Sequence, residues 1–160
     1  MSNINTYLNI LLDSLDSKES ILNNMYVVTK KQEELIKNSE LDLEEFDDII
    51  EEKQKYIDQI EFLDSGFQTT FNRIEKELEG KVVLYKEEIK QLKDKITTVS
   101  NIGINIQILE EKNKIKIEEH FASKRRQVKT FKKSKTTAAN YYKNMSNSFK
   151  EQSFFLDKKK

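Results

Sequence analysis

The sequence predicts an all-α protein, namely an elongated antiparallel three-helix bundle or coiled coil followed by a conditionally ordered amphipathic C-terminal tail. Helix-breaking residues are nearly missing, because the chain has no proline and only 3 glycines. Charged residues make up 35% of the chain and the mean hydropathy is -0.75, which suits a thin bundle better than a compact globule. Apolar residues recur at alternating steps of three and four, which is the spacing of one seam along a helix.

The first helix is predicted over residues 3–38, where a heptad-spaced seam begins the chain. At about 1.5 Å per residue such a helix would be roughly 50 Å long. A lysine falls on the same line, and polar residues extend it toward the end of the helix. The seam consists of Ile4, Leu8, Leu11, Leu15, Lys18, Leu22, Met25, Thr29, Gln32 and Ile36.

The start of the second helix is marked by the run "SELDLEEF". Asp42 is expected to cap the helix with Glu45 three residues later, and Leu41 is expected to pack against Phe46 as a hydrophobic staple. The helix therefore begins near residue 42, after a tight turn. Its seam then runs through Phe46, Ile50, Lys53, Ile57, Ile60, Asp64, Phe67, Phe71, Ile74 and Leu78.

Charged residues interrupt these seams at Lys18, Lys53 and Asp64. Polar residues at seam positions can fix the register of the helices or the choice of partner. They can equally extend their charged ends to solvent at little cost. The sequence leaves both interpretations open.

Gly80 is predicted to end the second helix, since glycine readily adopts the left-handed conformation at a helix end. The stretch "NIGINIQIL" complicates the third helix, because isoleucine alternates there with a period of two. Residues 102–117 are therefore either a helix with a wide apolar face or a β-hairpin. The third seam consists of Val82, Tyr85, Ile89, Leu92, Ile96, Val99, Gly103 and Ile106, continued less regularly by Leu109, Asn113, Ile117, Phe121, Val128 and Phe131.

The chain divides into a helical bundle over residues 1–133 and a partner-binding tail over residues 134–160. The tail keeps helical spacing of its apolar residues but is rich in Ser, Thr and Asn, which are poor helix formers. We expect it to be mostly disordered alone and helical against a surface. The alternative is a short fourth helix that folds back on the bundle. The candidate partner-binding residues are Tyr141, Tyr142, Met145, Phe149, Phe154, Phe155 and Leu156.

Residues that could support catalysis or bind a metal are sparse. The chain has no cysteine, which excludes thiol catalysis and cysteine metal sites and suits a reducing compartment. His120 is the single histidine, and Ile117 stands where a Glu-x-x-His metal pair would need its glutamate. We therefore expect no enzyme, no cofactor and no metal site, with His120 as an exposed helix residue.

The charge balance argues against a strongly basic nucleic-acid binder, because 28 basic and 28 acidic residues give a formal net charge of +0. A basic run over residues 124–135 fits either a solvated helix end or an anion-binding surface, and it lacks interleaved aromatic residues for base stacking. No stretch approaches the roughly 20 apolar residues that span a bilayer. We expect a cytoplasmic protein without stable membrane insertion and without a nucleic-acid partner.

The chain resembles the FlgN family of flagellar export chaperones. The first helix ends in "TKKQEELI", and the chain ends in "SFFLDKKK", similar to an aromatic-Asp-Lys-Lys terminus. The run "EEKQKYIDQI" matches a Glu-Lys-Gln motif, and "NIQIL" is similar to an Asn-x-x-Leu-Leu motif. The residues of these two motifs are Glu52, Lys53, Gln54, Asn105, Ile108 and Leu109.

The resemblance implies a substrate-specific chaperone of type III export without nucleotide hydrolysis. Such a protein binds the helical terminal segments of hook-associated proteins at the hook–filament junction, prevents their premature assembly and delivers them to the export gate. It also implies that the C-terminal region binds the client and that Tyr141 or Tyr142 contacts the gate. The alternative function is a structural coiled-coil scaffold or oligomerisation protein, and the sequence leaves a homodimer open.

Overall fold

The computed structural model describes residues 3–123 and 128–159, with side chains over 3–123 and 132–150. The described part of the chain is helical throughout apart from its turns, so the all-α prediction is confirmed. The number of helices is four rather than the predicted three. The helices are α1 (Asn3–Ile36), α2 (Leu43–Glu77), α3 (Lys86–Ser123) and α4 (Val128–Lys159), with a 3₁₀ turn at Val82–Tyr85.

The four helices form an up-down-up-down bundle. Hydrogen bonds join Lys18 to Asp64 and Lys53 to Gln32, so α1 and α2 are antiparallel. α1 packs against both α2 and α3, and α4 packs against the same two helices. Because α1 and α4 share no packing contact in the described ranges, they occupy opposite corners of the bundle.

The predicted start of α2 is confirmed. Asp42 is the N-cap residue, and its Oδ1 accepts hydrogen bonds from the backbone N–H groups of Glu44 at 3.1 Å and Glu45 at 3.3 Å. Leu41 and Phe46, the two residues of the predicted staple, are both buried in the core. The cap satisfies two of the free N–H groups at the helix start, and the two buried apolar residues anchor the chain where it enters α2.

The second turn contains Gly80, whose φ of 78° lies in the left-handed region as predicted. The third seam begins later than predicted. Val82 is 54% exposed, because α3 starts only at Lys86 and the intervening residues form the 3₁₀ turn. The seam reaches full burial at Leu92.

The alternating isoleucines lie within a continuous α3, so residues 102–117 form a helix and not a hairpin. Ile106 is fully buried, whereas Ile104 and Ile108 are about half exposed. The alternation therefore widens the apolar face of the helix. The heptad seams on both sides of this stretch, packed against α1, determine the helical conformation.

The tail forms most of α4, which begins at Val128, before the expected boundary at residue 134. Ala138 and Met145 are buried, at the helical spacing that the sequence predicted. Apolar residues at this spacing meet the groove between α2 and α3, and that packing outweighs the weak helix propensity of the segment. The side chains of Val128 and Phe131 lie outside the described residues.

Candidate functional site

The candidate site is the interface between α4 and the groove formed by α2 and α3. Two hydrogen bonds between side chains fix the register of α4 along α2. Ser134 Oγ donates to Asp47 Oδ2 at 3.0 Å, and Asn144 Nδ2 donates to Gln54 Oε1 at 3.3 Å. The later residue of α4 pairs with the later residue of α2, so the two helices run parallel. α4 is therefore antiparallel to α3.

Four of the predicted partner-binding residues lie in this interface. The exposed fractions of these residues are 1% for Tyr141, 8% for Tyr142, 8% for Met145 and 3% for Phe149. They join the same core as the aromatic residues of α2 and α3. In the free chain these side chains are therefore covered, and a partner can reach them only when α4 moves. The side chains of Phe154, Phe155 and Leu156 lie outside the described residues.

A buried ionic pair lies beneath α4. Lys53 Nζ on α2 donates to Glu110 Oε1 on α3 at 2.5 Å, and neither side chain has any exposed surface. Lys53 Nζ also donates to Gln32 Oε1 on α1 at 2.7 Å. Burial lowers the pKa of Lys53, and the Glu110 carboxylate opposes that change. Such a pair is tolerated in a core only when both charges have partners, as they have here.

Tyr141 connects α4 to this pair. Its hydroxyl donates to Glu110 Oε2, and its ring lies 4.7 Å from Lys53 Nζ, within cation–π range. Burial and the neighbouring Glu110 charge raise the pKa of Tyr141 well above its ordinary value. The phenol is therefore neutral at physiological pH and acts as a donor.

Asn113 on α3 completes the cluster on the side of α1. Its Nδ2 lies 3.2 Å from the carbonyl oxygen of Thr29 and 3.3 Å from Gln32 Oε1. All three residues are buried. The cluster thus joins polar groups from all four helices at one level of the bundle.

The sequence pattern predicted part of this cluster. Lys53, Gln32 and Asn113 lie on the predicted seam lines, whereas the seam spacing does not single out Glu110. The available signal was Lys53 itself, because a lysine on a core seam requires a buried carboxylate nearby. The interpretation in which Lys53 extends to solvent is wrong, since its side chain is fully buried.

The second pair of seam charges also meets across helices. Lys18 Nζ on α1 lies 2.7 Å from Asp64 Oδ1 on α2, and the two side chains are 5% and 19% exposed. Burial raises the pKa of Asp64, while Lys18 acts in the opposite direction. The charged seam positions therefore fix the register of α1 on α2, as one of the two interpretations expected.

His120 is half-buried, so the expectation of an exposed residue is wrong. Its Nε2 lies 2.8 Å from the carbonyl oxygen of Ile36, the last residue of α1. The imidazole ring therefore provides a hydrogen-bond partner for a carbonyl group that the helix end leaves free. Within the described ranges no three His, Cys, Asp or Glu side chains come together as a metal site, and none of the described helices is long and apolar enough to cross a membrane.

The basic run lies only partly within the described side chains. Lys132, Lys133 and Lys135 are exposed on α4, as a solvated helix surface requires. The remaining basic residues fall at 124–129, outside the described side chains.

Comparison with known proteins places the chain in a family. A family model described as FlgN protein matches residues 1–148, which include the buried cluster and most of the described part of α4. No curated protein and no solved structure matches the chain. Because the match covers most of its length, the chain belongs to the FlgN family, a family of flagellar export chaperones.

Proposed function

We propose that this protein binds the helical terminal segments of hook-associated flagellar proteins in the cytoplasm, prevents their premature assembly and delivers them to the export gate. The observation that supports this proposal is α4 itself. Its large apolar side chains, among them Tyr142, Met145 and Phe149, fill a groove that a client helix could fill in the same way. This is the helix-in-groove mode of recognition.

Binding requires α4 to leave the groove and to offer its apolar face to the client. Each large apolar side chain contributes roughly 1.5–3 kcal/mol when it is buried. A client that covers the same residues replaces that contribution, so the exchange is close to balanced. The apparent affinity is reduced by the fraction of molecules in which α4 is docked, which suits a client that must be released at the gate.

The buried charges favour α4 as the element that moves. Lys53, Glu110, Gln32 and Asn113 all belong to α1, α2 and α3, so the ionic pair keeps its partners when α4 departs. The Tyr141 hydroxyl is the one described group of the cluster that leaves with α4. A donor of the client or a water molecule can take its place at Glu110 after α4 has left. The replacement of α4 by a client therefore leaves Lys53 and Glu110 paired with each other.

The proposed gate contact uses the same movement. Tyr141 and Tyr142 are both buried while α4 is docked. A tyrosine that contacts the gate must be exposed, so we propose that gate binding follows client-induced release of α4. This order would make a loaded chaperone bind the gate better than an empty one.

A cross-linking experiment tests whether α4 must move. Gln54 and Asn144 face each other across the α2–α4 interface, and the chain has no cysteine of its own. We would replace both with cysteine and join them with a bismaleimide whose spacer contains a reducible disulfide. The measured quantity is the affinity for terminal segments of the hook-associated proteins encoded in the same genome.

We expect the linked protein to lose client binding and to regain it when the spacer is reduced. Each single-cysteine variant, treated with the same reagent, is the matched control and should bind like the unmodified protein. Unchanged client affinity in the linked protein would contradict the proposed movement. Absence of binding in every form, controls included, would contradict the proposed clients.

The outer face of α3 favours the second candidate function, a scaffold that associates with copies of itself. Ile104, Ile108 and Ile115 follow one another at helical spacing and are 49%, 53% and 50% exposed. They lie opposite the buried seam and are free to pack on a second copy. Sedimentation equilibrium of Ile108→Lys beside the unmodified protein tests this: a dimer that the substitution dissociates would favour self-association.

A further inference from the structure

A second groove lies on the outer side of the bundle between the end of α3 and the first half of α4. Its volume is about 670 Å³ and it is open to solvent along one side. Ile117 and Phe121 of α3 and Ala138 and Tyr142 of α4 contribute buried apolar surface to its floor. This groove differs from the one that the client is proposed to occupy, because α4 forms one of its walls.

The rim of the groove is basic. The lining contains three lysines, namely Lys114 from α3 and Lys135 and Lys143 from α4. It contains one carboxylate, that of Glu118. In the part of the chain that the structure describes, none of these three lysines forms an ion pair. The groove therefore combines an apolar floor with unneutralised positive charge on both sides, which favours an acidic occupant.

The floor also contains a polar group without a partner. The Tyr142 hydroxyl is buried and has no hydrogen-bond partner among the described residues. A buried hydroxyl without a partner costs free energy that an incoming acceptor recovers. The residue that carries this hydroxyl thus forms part of the floor of a groove with a basic rim.

The dimensions fit a short helix rather than a small ion. Lys114 and Ala122 mark the ends of the groove on α3, a separation of about 12 Å at about 1.5 Å per residue. This length accommodates roughly two turns of a docked helix. We infer that the groove binds an acidic amphipathic helical segment of a partner protein, with its apolar side chains on the floor and its carboxylates beside the three lysines.

The position of the groove couples it to the client site. Because its walls belong to α3 and α4, the groove exists only while α4 is docked. A ligand that binds one of two states shifts the population toward that state, so the acidic segment and the client must weaken each other's binding reciprocally. This coupling rests on the proposed function, whereas the binding of the segment does not.

A designed peptide tests the inference directly. The probe is a fluorescein-labelled helical peptide with leucine at positions i, i+3, i+4 and i+7 and glutamate on both flanks. The matched peptide carries lysine in place of every glutamate. Fluorescence anisotropy at low salt should show binding of the acidic peptide and not of the basic one, weakening as salt is added.

Charge reversal locates the binding site. The triple variant Lys114→Glu, Lys135→Glu, Lys143→Glu should lose about tenfold in affinity, since three attractive pairs become repulsive. The matched control reverses three exposed lysines elsewhere, Lys31, Lys90 and Lys93, and should retain its affinity. Ala139→Trp, which fills the groove without changing its charge, should abolish binding.

The linked Gln54→Cys, Asn144→Cys protein separates the two proposals. It should bind the acidic peptide at least as well as the unlinked protein, because α4 is held in place. This expectation does not depend on the outcome of the client-binding test. Equal binding by the triple variant and its control would overturn the inference, as would equal binding of both peptides. Binding of anionic phosphatidylglycerol vesicles with no binding of the acidic peptide would also overturn it.

Discussion

Lys53 Nζ and Glu110 Oε1 lie 2.5 Å apart in the centre of the bundle, and both side chains are fully buried. The pair joins α2 to α3, which also meet through the edge-to-face contact between the rings of Phe46 and Phe121. Gln32 from α1 and Tyr141 from α4 complete the shell around it. The ionic pair is thus one point at which side chains of all four helices meet.

Removing one member of this pair should destabilise the protein severely. We expect Lys53→Met to lower the free energy of unfolding by about 3–5 kcal/mol, because it leaves the Glu110 charge buried without its cation. The double variant Lys53→Met, Glu110→Leu should recover most of that loss. Urea denaturation followed by circular dichroism measures both, and a double variant no more stable than the single one would contradict this account.

An exposed pair provides the control. Lys37 Nζ lies 3.0 Å from Glu34 Oε1, with both side chains more than half exposed. Solvent screens such a pair, so Lys37→Met should leave the midpoint of the same urea transition unchanged.

The two neighbouring tyrosines of α4 should respond oppositely to loss of the hydroxyl. Tyr141→Phe removes a hydrogen bond to a buried carboxylate and should cost about 1.5–3 kcal/mol of unfolding free energy. Tyr142→Phe removes a buried hydroxyl that has no partner among the described residues and should be neutral or stabilising. Urea denaturation of the two variants side by side checks this contrast, and equal losses would contradict it.

The same tyrosines should make the protein sensitive to alkali. Burial raises the pKa values of Tyr141 and Tyr142 above the ordinary value of 10.0, so the folded chain keeps phenol protons that the unfolded chain loses. The unfolded state then binds fewer protons, and stability falls as pH rises above about 10, by about 1.4 kcal/mol per pH unit for each tyrosine.

The contribution of Lys53 has the opposite sign. Burial lowers the pKa of Lys53, so the folded chain loses this proton at a lower pH than the unfolded chain. The free energy of unfolding therefore rises with pH through this group, and the rise ends near pH 10.5, where the unfolded lysine also loses its proton. Between about pH 11 and 12 the tyrosines therefore dominate. Urea midpoints across this range should fall, and the fall should be less steep in Tyr142→Phe. An identical slope in that variant would contradict the assignment.

The helix cap at the start of α2 gives a local prediction. Asp42→Ala should cost about 0.5–2 kcal/mol, because two N–H groups at the helix end lose their acceptor. Asp13→Ala, an exposed change inside α1, is the control and should cause no loss. Thermal denaturation of the two variants compares them, and equal stability would show that the cap contributes nothing.

The fold was largely predictable, because local spacing determines which face of each helix is buried. The seam of α1 from Ile4 to Ile36 and the cap at Asp42 required no tertiary information. The helix count was harder to predict, because residues 134–150 are poor helix formers and are helical here through packing on α2 and α3. Intrinsic propensity cannot reveal a groove that two other helices create.

The candidate site was predictable only in part. The spacing of Tyr142, Met145 and Phe149 identified the apolar face of α4, but nothing local indicated that the bundle itself covers it. The link between Glu110 and Tyr141 spans 31 residues of sequence, and its geometry arises only when α3 and α4 meet. Pairings between distant helices depend on the assembled fold.

In the proposed mechanism, α4 is a separable element that docks on a three-helix body and is released to hold a client. Native-state hydrogen exchange, measured residue by residue by NMR on the free protein, tests it most directly. We predict that amides of residues 134–150 open at a clearly lower free energy than buried amides of α1, α2 and α3. Equal opening free energies across all four helices would mean that α4 unfolds only with the whole bundle, and would contradict the account.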